Sequence, residues 1–376
     1  MHIGILSMQR IINNGSLLQA YGLKKSIESL GNAVQFVDFK VSDEENEIFT
    51  WKEKIQNFNS VLYTLLVSFR NLLKFGPKGI AIAISNHKVR NNFLNNYMSV
   101  LNLSKEPNYS PKVDVLVFGS DEVFNTVQYV ELGKGYAWQL YGADNNAGKL
   151  VSYAASFGHT TYKGLEKYNM LDKSRELLSK FAAFSVRDRN SYDIIKRLTG
   201  KEASINIDPV LLYDFADIEI KQPKIKDYIL IYGYPGRIND KQEVAAIKAF
   251  AKKYNKKLVC VNMMQTWCDE FIYAHPFDLL GYFKYADYVV TDTFHGAVIS
   301  IKYNIPFVQF VRESKGYSNN QKVGYLLSSF GLEDRILQKP DDLEEVMLKP
   351  IAYKKVNEIL ISEKSKAMDY LKRVLQ

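Results

Sequence analysis

Four short clusters carry residue types from which a polar reaction site can be built. In "TDTFHGAV", residues 291–298, an apolar run at Tyr288–Val290 gives way to a helical pattern from Gly296 to Tyr303. Thr291, Asp292 or Thr293 would cap that helix by accepting its unpaired amides. A helix N-terminus offers backbone donors and partial positive charge, which suits phosphate or carboxylate. Gly296 would let a ligand approach the backbone closely. His295 could add a charged donor or transfer a proton, as histidines do near pH 7; a histidine satisfied within the turn is the alternative. In "VFGSDEVFN", residues 117–125, Gly119 and Ser120 are candidate anion donors. Asp121 is a candidate for holding sugar hydroxyls or taking their protons, with an ordinary helix cap as the other reading. In "SVRDRNS", Arg187 leaves a strand end and can clamp a carboxylate or phosphate through two parallel hydrogen bonds, or sit in a structural ion pair. In "NNGSLLQ", Asn14, Gly15 and Ser16 open the first helix and form a second anion site by the same reasoning.

Other candidates are weaker. Asp208-Pro209 reads as a turn that ends a strand. His159 follows "SFG" at a strand end; His2, His87 and His275 carry less. No HExxH, paired-cysteine cluster, Walker loop or GxSxG elbow occurs, so no spacing calls for a metal.

The elements that must position these clusters alternate. Ile3–Ser7 is a predicted strand, Ser16–Leu30 an amphipathic helix ended by Gly31, and Val34–Phe39 the next strand. This βαβ opening predicts a parallel sheet. Val113–Phe118, Leu150–Ala154, Phe184–Val186 and Ile205–Ile207 read as further strands, with a helix at Asp172–Phe181. Each strand runs into a small or polar cluster at its C-terminal end, the edge where open parallel sheets bind ligands. A second β-α-β-α-β unit begins near Asp227: "YILIYGYPGR", a helix at Lys241–Tyr254, "KLVCVNMM", a helix at Pro276–Tyr285, Tyr288–Val290, the Gly296–Tyr303 helix and a strand at Ile305–Phe310.

The expected architecture is therefore α/β, with two Rossmann-like domains facing across a cleft. Residues 1–220 form the first domain and 221–350 the second. Residues 351–376 hold a last helix, Asn357–Leu375, expected to cross back to the first domain. Residues 41–110 are polar and helical in pattern, with an apolar patch at Phe58–Leu73 and a break at Gly76-Pro77. Lys74, Lys78, Lys88 and Arg90 make them basic. They read as an insertion, either packed on the sheet or meeting a lipid-linked or polymeric acceptor.

The 376 residues favour two domains over one. The chain is 47% hydrophobic and 24% charged, the balance of a soluble globular protein. Cys260 and Cys268 match no redox or metal spacing and read as idle thiols of a reducing compartment. The start of the chain reads as a strand rather than a leader, and no apolar run reaches the ~18 residues of a membrane span, so a cytoplasmic location is expected. The formal charge of +8 suits anionic small substrates, a negative membrane surface or nucleic acid. The lysines are scattered and no nucleic-acid module is recognisable, which argues against nucleic acid.

Taken together and in order, "NNGSLLQAYGL", "VLVFGSDEVFN", "SYAASFG", "SVRDRNS", "IDPVLL", "YILIY" and "YVVTDTFHGAVISIKYNIPF" resemble the polysaccharide pyruvyl transferase family. The closing "LLSSFGLEDR" is similar to that family's C-terminal signature. The resemblance spans roughly residues 3–335, with 41–110 least similar. It implies a fold like the two-domain GT-B glycosyltransferases. It also implies transfer of a pyruvyl group from phosphoenolpyruvate to sugar hydroxyls as a cyclic ketal, in the making of capsule or exopolysaccharide. The donor is a substrate, and no cofactor is implied. A lipid-linked acceptor would bring the protein to the inner membrane surface.

On this resemblance His295 is the general acid or a phosphate ligand, and Arg187 binds phosphate or carboxylate. The helix start at Gly296 holds phosphate, and Asp121 serves the acceptor hydroxyls. Asp292, Thr293, Gly119, Ser120, Asn14, Gly15 and Lys322 complete the expected binding set. The sequence departs from the family at three points: Lys322 stands where an arginine is expected, "NNGS" replaces "NYGA", and Thr293 replaces a serine. Two other readings stay open. One is a nucleotide-sugar glycosyltransferase, with a base and ribose pocket near Gly233, Gly236 and Arg237. The other is a non-catalytic carbohydrate-binding relative.

Overall fold

The structure, a computed structural model, describes residues 1–40, 72, 84, 87, 98–104, 106–131, 135–314, 317–318 and 320–376. Most of the expected insertion, including all of 58–73 but residue 72, Gly76-Pro77, Lys74, Lys78, Lys88 and Arg90, lies outside the described residues.

The first sheet has six parallel strands in the order β2-β1-β3-β4-β5-β6. These are β1 (His2–Leu6), β2 (Ala33–Phe36), β3 (Lys112–Asp121), β4 (Asn146–Ala155), β5 (Phe184–Val186) and β6 (Ala203–Ile205). The second has five, in the order β11-β10-β7-β8-β9. These are β7 (Tyr228–Tyr232), β8 (Lys257–Val261), β9 (Glu270–Ile272), β10 (Tyr288–Thr291) and β11 (Phe307–Gln309). Strands covered by helices on both faces need apolar side chains on both. Val115–Phe118 and Tyr228–Tyr232 supply them and are buried throughout.

Each strand order reverses once, between β1 and β3 in the first sheet and between β7 and β10 in the second. Ligand crevices open at the carboxyl ends of the strands at such a reversal. The loops there are 7–13 and 122–125 in one domain, and 233–240 and Asp292–Thr293 in the other. The fold thus brings the candidate clusters to two facing edges.

Helix α2 (Arg189–Thr199) follows β5, while α1 (Asn14–Glu28) runs under the first sheet and packs on α3 (Pro209–Leu212). Their approach is so close that a Cβ on Gly22 would lie 2.6 Å from Pro209 O. The largest core cluster continues without a break from Ile3, Leu18 and Val210 into Leu230, Phe283 and Val298 of the second domain. In the second domain α4 (Lys241–Lys253) joins β7 to β8, and Phe277 of α5 (Pro276–Lys284) meets Tyr21 of α1 edge to face, 4.9 Å between centroids. The last helix, Tyr353–Val374, reaches the first domain, where the Tyr370 hydroxyl donates to Ser152 O at 2.8 Å.

Several elements depart from expectation. β3 and β4 are longer than the apolar runs, because their pairing continues from Lys112↔Asn146 to Asp121↔Ala155. β9 was not expected, being a three-residue edge strand without an apolar pattern. The helix Asn320–Ser329 was not separately expected either. Among the described residues no helix is long and apolar enough to cross a membrane.

Candidate functional site

Asn13 caps α1: its Oδ1 accepts from Gly15 N at 2.8 Å and Ser16 N at 3.4 Å. The same side chain crosses the cleft, its Nδ2 donating to the Tyr234 hydroxyl at 2.7 Å. Ser16 Oγ donates to Asp121 Oδ2 at 2.7 Å. Asp121 ends β3 in the left-handed region, φ 72°, which aspartate tolerates better than most residues. Arg187 follows β5. Its Nη1 is 2.8 Å from Asp208 Oδ2, its Nη2 is 3.5 Å from Asp121 Oδ1, and its guanidinium lies 4.1 Å from the centroid of the Phe294 ring.

Asp208 holds the centre. Its Oδ1 accepts from Val210 N at 2.9 Å and so caps α3, with Pro209 in the first helical position. Its Oδ2 also lies 3.6 Å from His295 Nε2, an ionic rather than a hydrogen-bond distance. Burial alone would raise the Asp208 carboxyl. His295 and Arg187 hold it below the usual carboxylate range instead.

From the second domain, β10 ends at Thr291 and Thr293 caps α6 (Phe294–Tyr303), accepting from Gly296 N at 2.9 Å. A Cβ on Gly296 would run into Thr291 Oγ1, so glycine is required by packing. His295 is gripped from the other domain. A Cβ on Gly15 would fall within 3.0 Å of three atoms of its ring. Asp292 is fully buried beside Arg312 Nε at 4.0 Å. Burial pushes its carboxyl up to about 6, against the pull of Arg237 and Arg312. Arg312 is itself held by both oxygens of Glu243, at 2.6 and 2.8 Å.

Lys322, on α7 (Asn320–Ser329), pairs with Glu122 just beyond β3, tying the two domains together. Burial opposes ionisation of Glu122, but Lys322 and then Arg187 depress its carboxyl to about 2.

Of the expected residues, Asp121, Arg187, Thr293, His295 and Lys322 line one cleft of about 330 Å³ between the domains, together with Asn13, Ser16, Glu122, Tyr234 and Arg237. Gly119, Ser120, Asn14, Gly15, Asp292 and Gly296 do not line it. Ser120 is buried, its N–H donating to Gln19 Oε1 at 3.1 Å and its hydroxyl to Ala154 O at 2.7 Å. Gly119 sits at φ 130° where a Cβ would strike Tyr153 O. Both serve the sheet. Asn14 is a buried neighbour of the true cap, Asn13. The Gly296 amide is taken by Thr293, so the amides of Phe294 and His295 are the ones the helix leaves without an intrahelical acceptor. His159 lies beside Asn125, 3.3 Å from Nδ1 to the amide nitrogen, and outside the cleft lining.

Sequence reasoning undervalued Asp208. The available signal was an Asp-Pro helix start at the C-terminal end of a strand, on the same sheet edge as the other clusters. It also missed Asn13, Glu122 and Tyr234. The two cysteines are free, and the Cys260 sulfur accepts from Gln265 N at 3.2 Å. Among the described residues no group of three or more potential metal ligands comes together.

The family described as polysaccharide pyruvyl transferase matches residues 13–314. No curated protein matches the sequence. Among solved structures, a UDP-GlcNAc 2-epimerase from Neisseria meningitidis bound to UDP-GlcNAc is similar at TM-score 0.47 and 8% identity, covering 98% of each chain. MnaA of S. aureus with UDP is similar at 0.46 and 11%, covering 97% of this chain and 91% of that one. The spinosyn rhamnosyltransferase SpnG is similar at 0.41 and 10%, covering 99% of both.

Proposed function

The chain belongs to the polysaccharide pyruvyl transferase family, and from that premise we propose that it moves a pyruvyl group from phosphoenolpyruvate to two hydroxyls of a sugar in a surface polysaccharide or its precursor. The observation that carries this reading is the convergence of Arg187 and His295, from opposite domains, on the buried Asp208 at the edge of one cleft. That arrangement supports a donor carrying two anionic groups beside a proton source.

The chemistry asked of these residues balances as follows. A proton adds to the methylene carbon of phosphoenolpyruvate and positive charge develops at C2. One sugar hydroxyl adds to C2 and loses its proton. Phosphate leaves, and the second hydroxyl closes the ketal. Of the two hydroxyl protons, one ends in the new methyl group and the other on phosphate. His295 is the general acid of this reading: Asp208 Oδ2 faces its Nε2 at 3.6 Å, and Gly15 fixes its ring. Nη2 of Arg187, at 3.5 Å from Asp121, is held less tightly than Nη1. It is the edge an incoming phosphate or carboxylate would take over. Asp121, so released and positioned by Ser16, would receive a proton from an acceptor hydroxyl.

The test is incubation of the protein with phosphoenolpyruvate labelled with ¹³C at C2 and a panel of oligosaccharides. The expected result is conversion of the enol carbon signal to that of a ketal carbon, one phosphate released per transfer, and loss of both in His295→Ala. Consumption of a nucleotide sugar with phosphoenolpyruvate left intact would overturn the proposal.

A further inference from the structure

We propose that Glu122 is the charge gate of the donor site: it holds Lys322 and yields it to an incoming anion, so that Glu122 sets how tightly the donor binds. This rests on the cleft being the donor site. The three carboxylates Asp121, Glu122 and Asp208 act on Arg187, as does a fourth, Asp188, which Ser156 and Ser191 hold. With Lys322 also in place the cleft is close to electrically balanced, and a multiply charged anion gains little unless one carboxylate gives up its cation.

Glu122 is the one built to do so. Asp208 is fully buried and held by Arg187 and the Val210 amide. Asp121 is held by Ser16 within its own domain. Glu122 is the most exposed of the three, at 23% against 14% and 0%, and its cation belongs to the other domain. Its second oxygen accepts from Asn125 Nδ2 at 2.8 Å, so the carboxylate keeps a partner when the lysine leaves. Its place is also shaped from behind, since a Cβ on Gly158 would come within 2.5 Å of Oε2.

The experiment is calorimetric titration of wild type, Glu122→Gln, Lys322→Gln and the double variant, with phosphoenolpyruvate and separately with inorganic phosphate. Releasing Lys322 from its carboxylate should tighten binding of both by about tenfold in Glu122→Gln. Lys322→Gln should weaken both, and in the double variant the gain should vanish. Unchanged or weaker binding of both anions by a folded Glu122→Gln overturns the gate, and so does a gain that persists without Lys322. If Glu122→Gln does not fold, Glu122→Asp replaces it. It draws the charge back by one methylene and should gain about threefold; no gain there is equally fatal. Phosphoenolpyruvate binding that ignores these variants overturns the gate and leaves the pyruvyl reading standing. A gain for phosphate while phosphoenolpyruvate binds none of the proteins supports the gate as an anion device and overturns the pyruvyl reading. If neither anion binds any variant, both fall.

Discussion

Gly15→Ala separates the grip on His295 from the stability of the fold. A methyl group at position 15 would lie within 3.0 Å of Nδ1, Cγ and Cε1 of the His295 ring. Carbon contacts settle near 3.5–4.0 Å, so the ring must retreat by about 1 Å. A shift of about that size in a reacting group costs ~10²-fold in rate. The helix gains up to ~1 kcal/mol from alanine in place of glycine, which offsets part of the ~1–3 kcal/mol that overpacking costs. Turnover should therefore fall about a hundredfold while the protein stays folded, with only a modest fall in melting temperature. The assay is phosphate release from phosphoenolpyruvate with acceptor, beside thermal unfolding without ligand. In a His295→Ala background the ring is gone, and Gly15→Ala should cost nothing further, which makes the pair strongly non-additive. Full turnover in the single variant, or an equal loss with and without the ring, would refute the reasoning.

Further expectations concern the polar network. Arg187→Met leaves Asp208 charged and buried without its partner and should destabilise by ~3–5 kcal/mol in denaturant titration, with Asp208→Asn restoring part of the loss. Because the folded-state value of Asp208 is depressed, its contribution to stability is present above the unfolded value of about 3.9 and lost as pH falls through the folded one; Asp208→Asn should abolish that acid-side loss in melting curves. Asp292 runs the other way. Its folded value of about 6 lies above the unfolded one, so its contribution is full at low pH and lost as pH rises towards 6; Asp292→Asn should flatten that fall in melting temperature. Asn13→Ala removes the α1 cap and the contact with Tyr234, and should cost about 1 kcal/mol or more in thermal unfolding.

The strands were legible because parallel strands buried on both faces must be apolar without interruption, and the β1, β3, β7 and β10 runs are. His295 and Arg187 were legible for the same reason: each stands where an apolar run ends. Ser120 misled because main-chain pairing with β4 carries β3 on through Asp121, putting the serine inside the sheet. Asn13 and Asn14 are chemically equivalent caps on paper, and only the backbone turn at Asn13 chooses between them. Asp208 was hidden by a dipeptide that equally well ends any strand. Glu122 and Lys322 lie 200 residues apart, and nothing local in either segment points to the other.

The central claim is that this cleft is a phosphoenolpyruvate site built around His295 and Arg187. Equilibrium titration of the protein with phosphoenolpyruvate, beside uridine and guanosine diphosphates and repeated on His295→Ala, tests it most directly. The account predicts one phosphoenolpyruvate bound per chain, weakened in the variant, with neither nucleotide bound. Binding of a nucleotide, with phosphoenolpyruvate leaving the protein untouched, would contradict it.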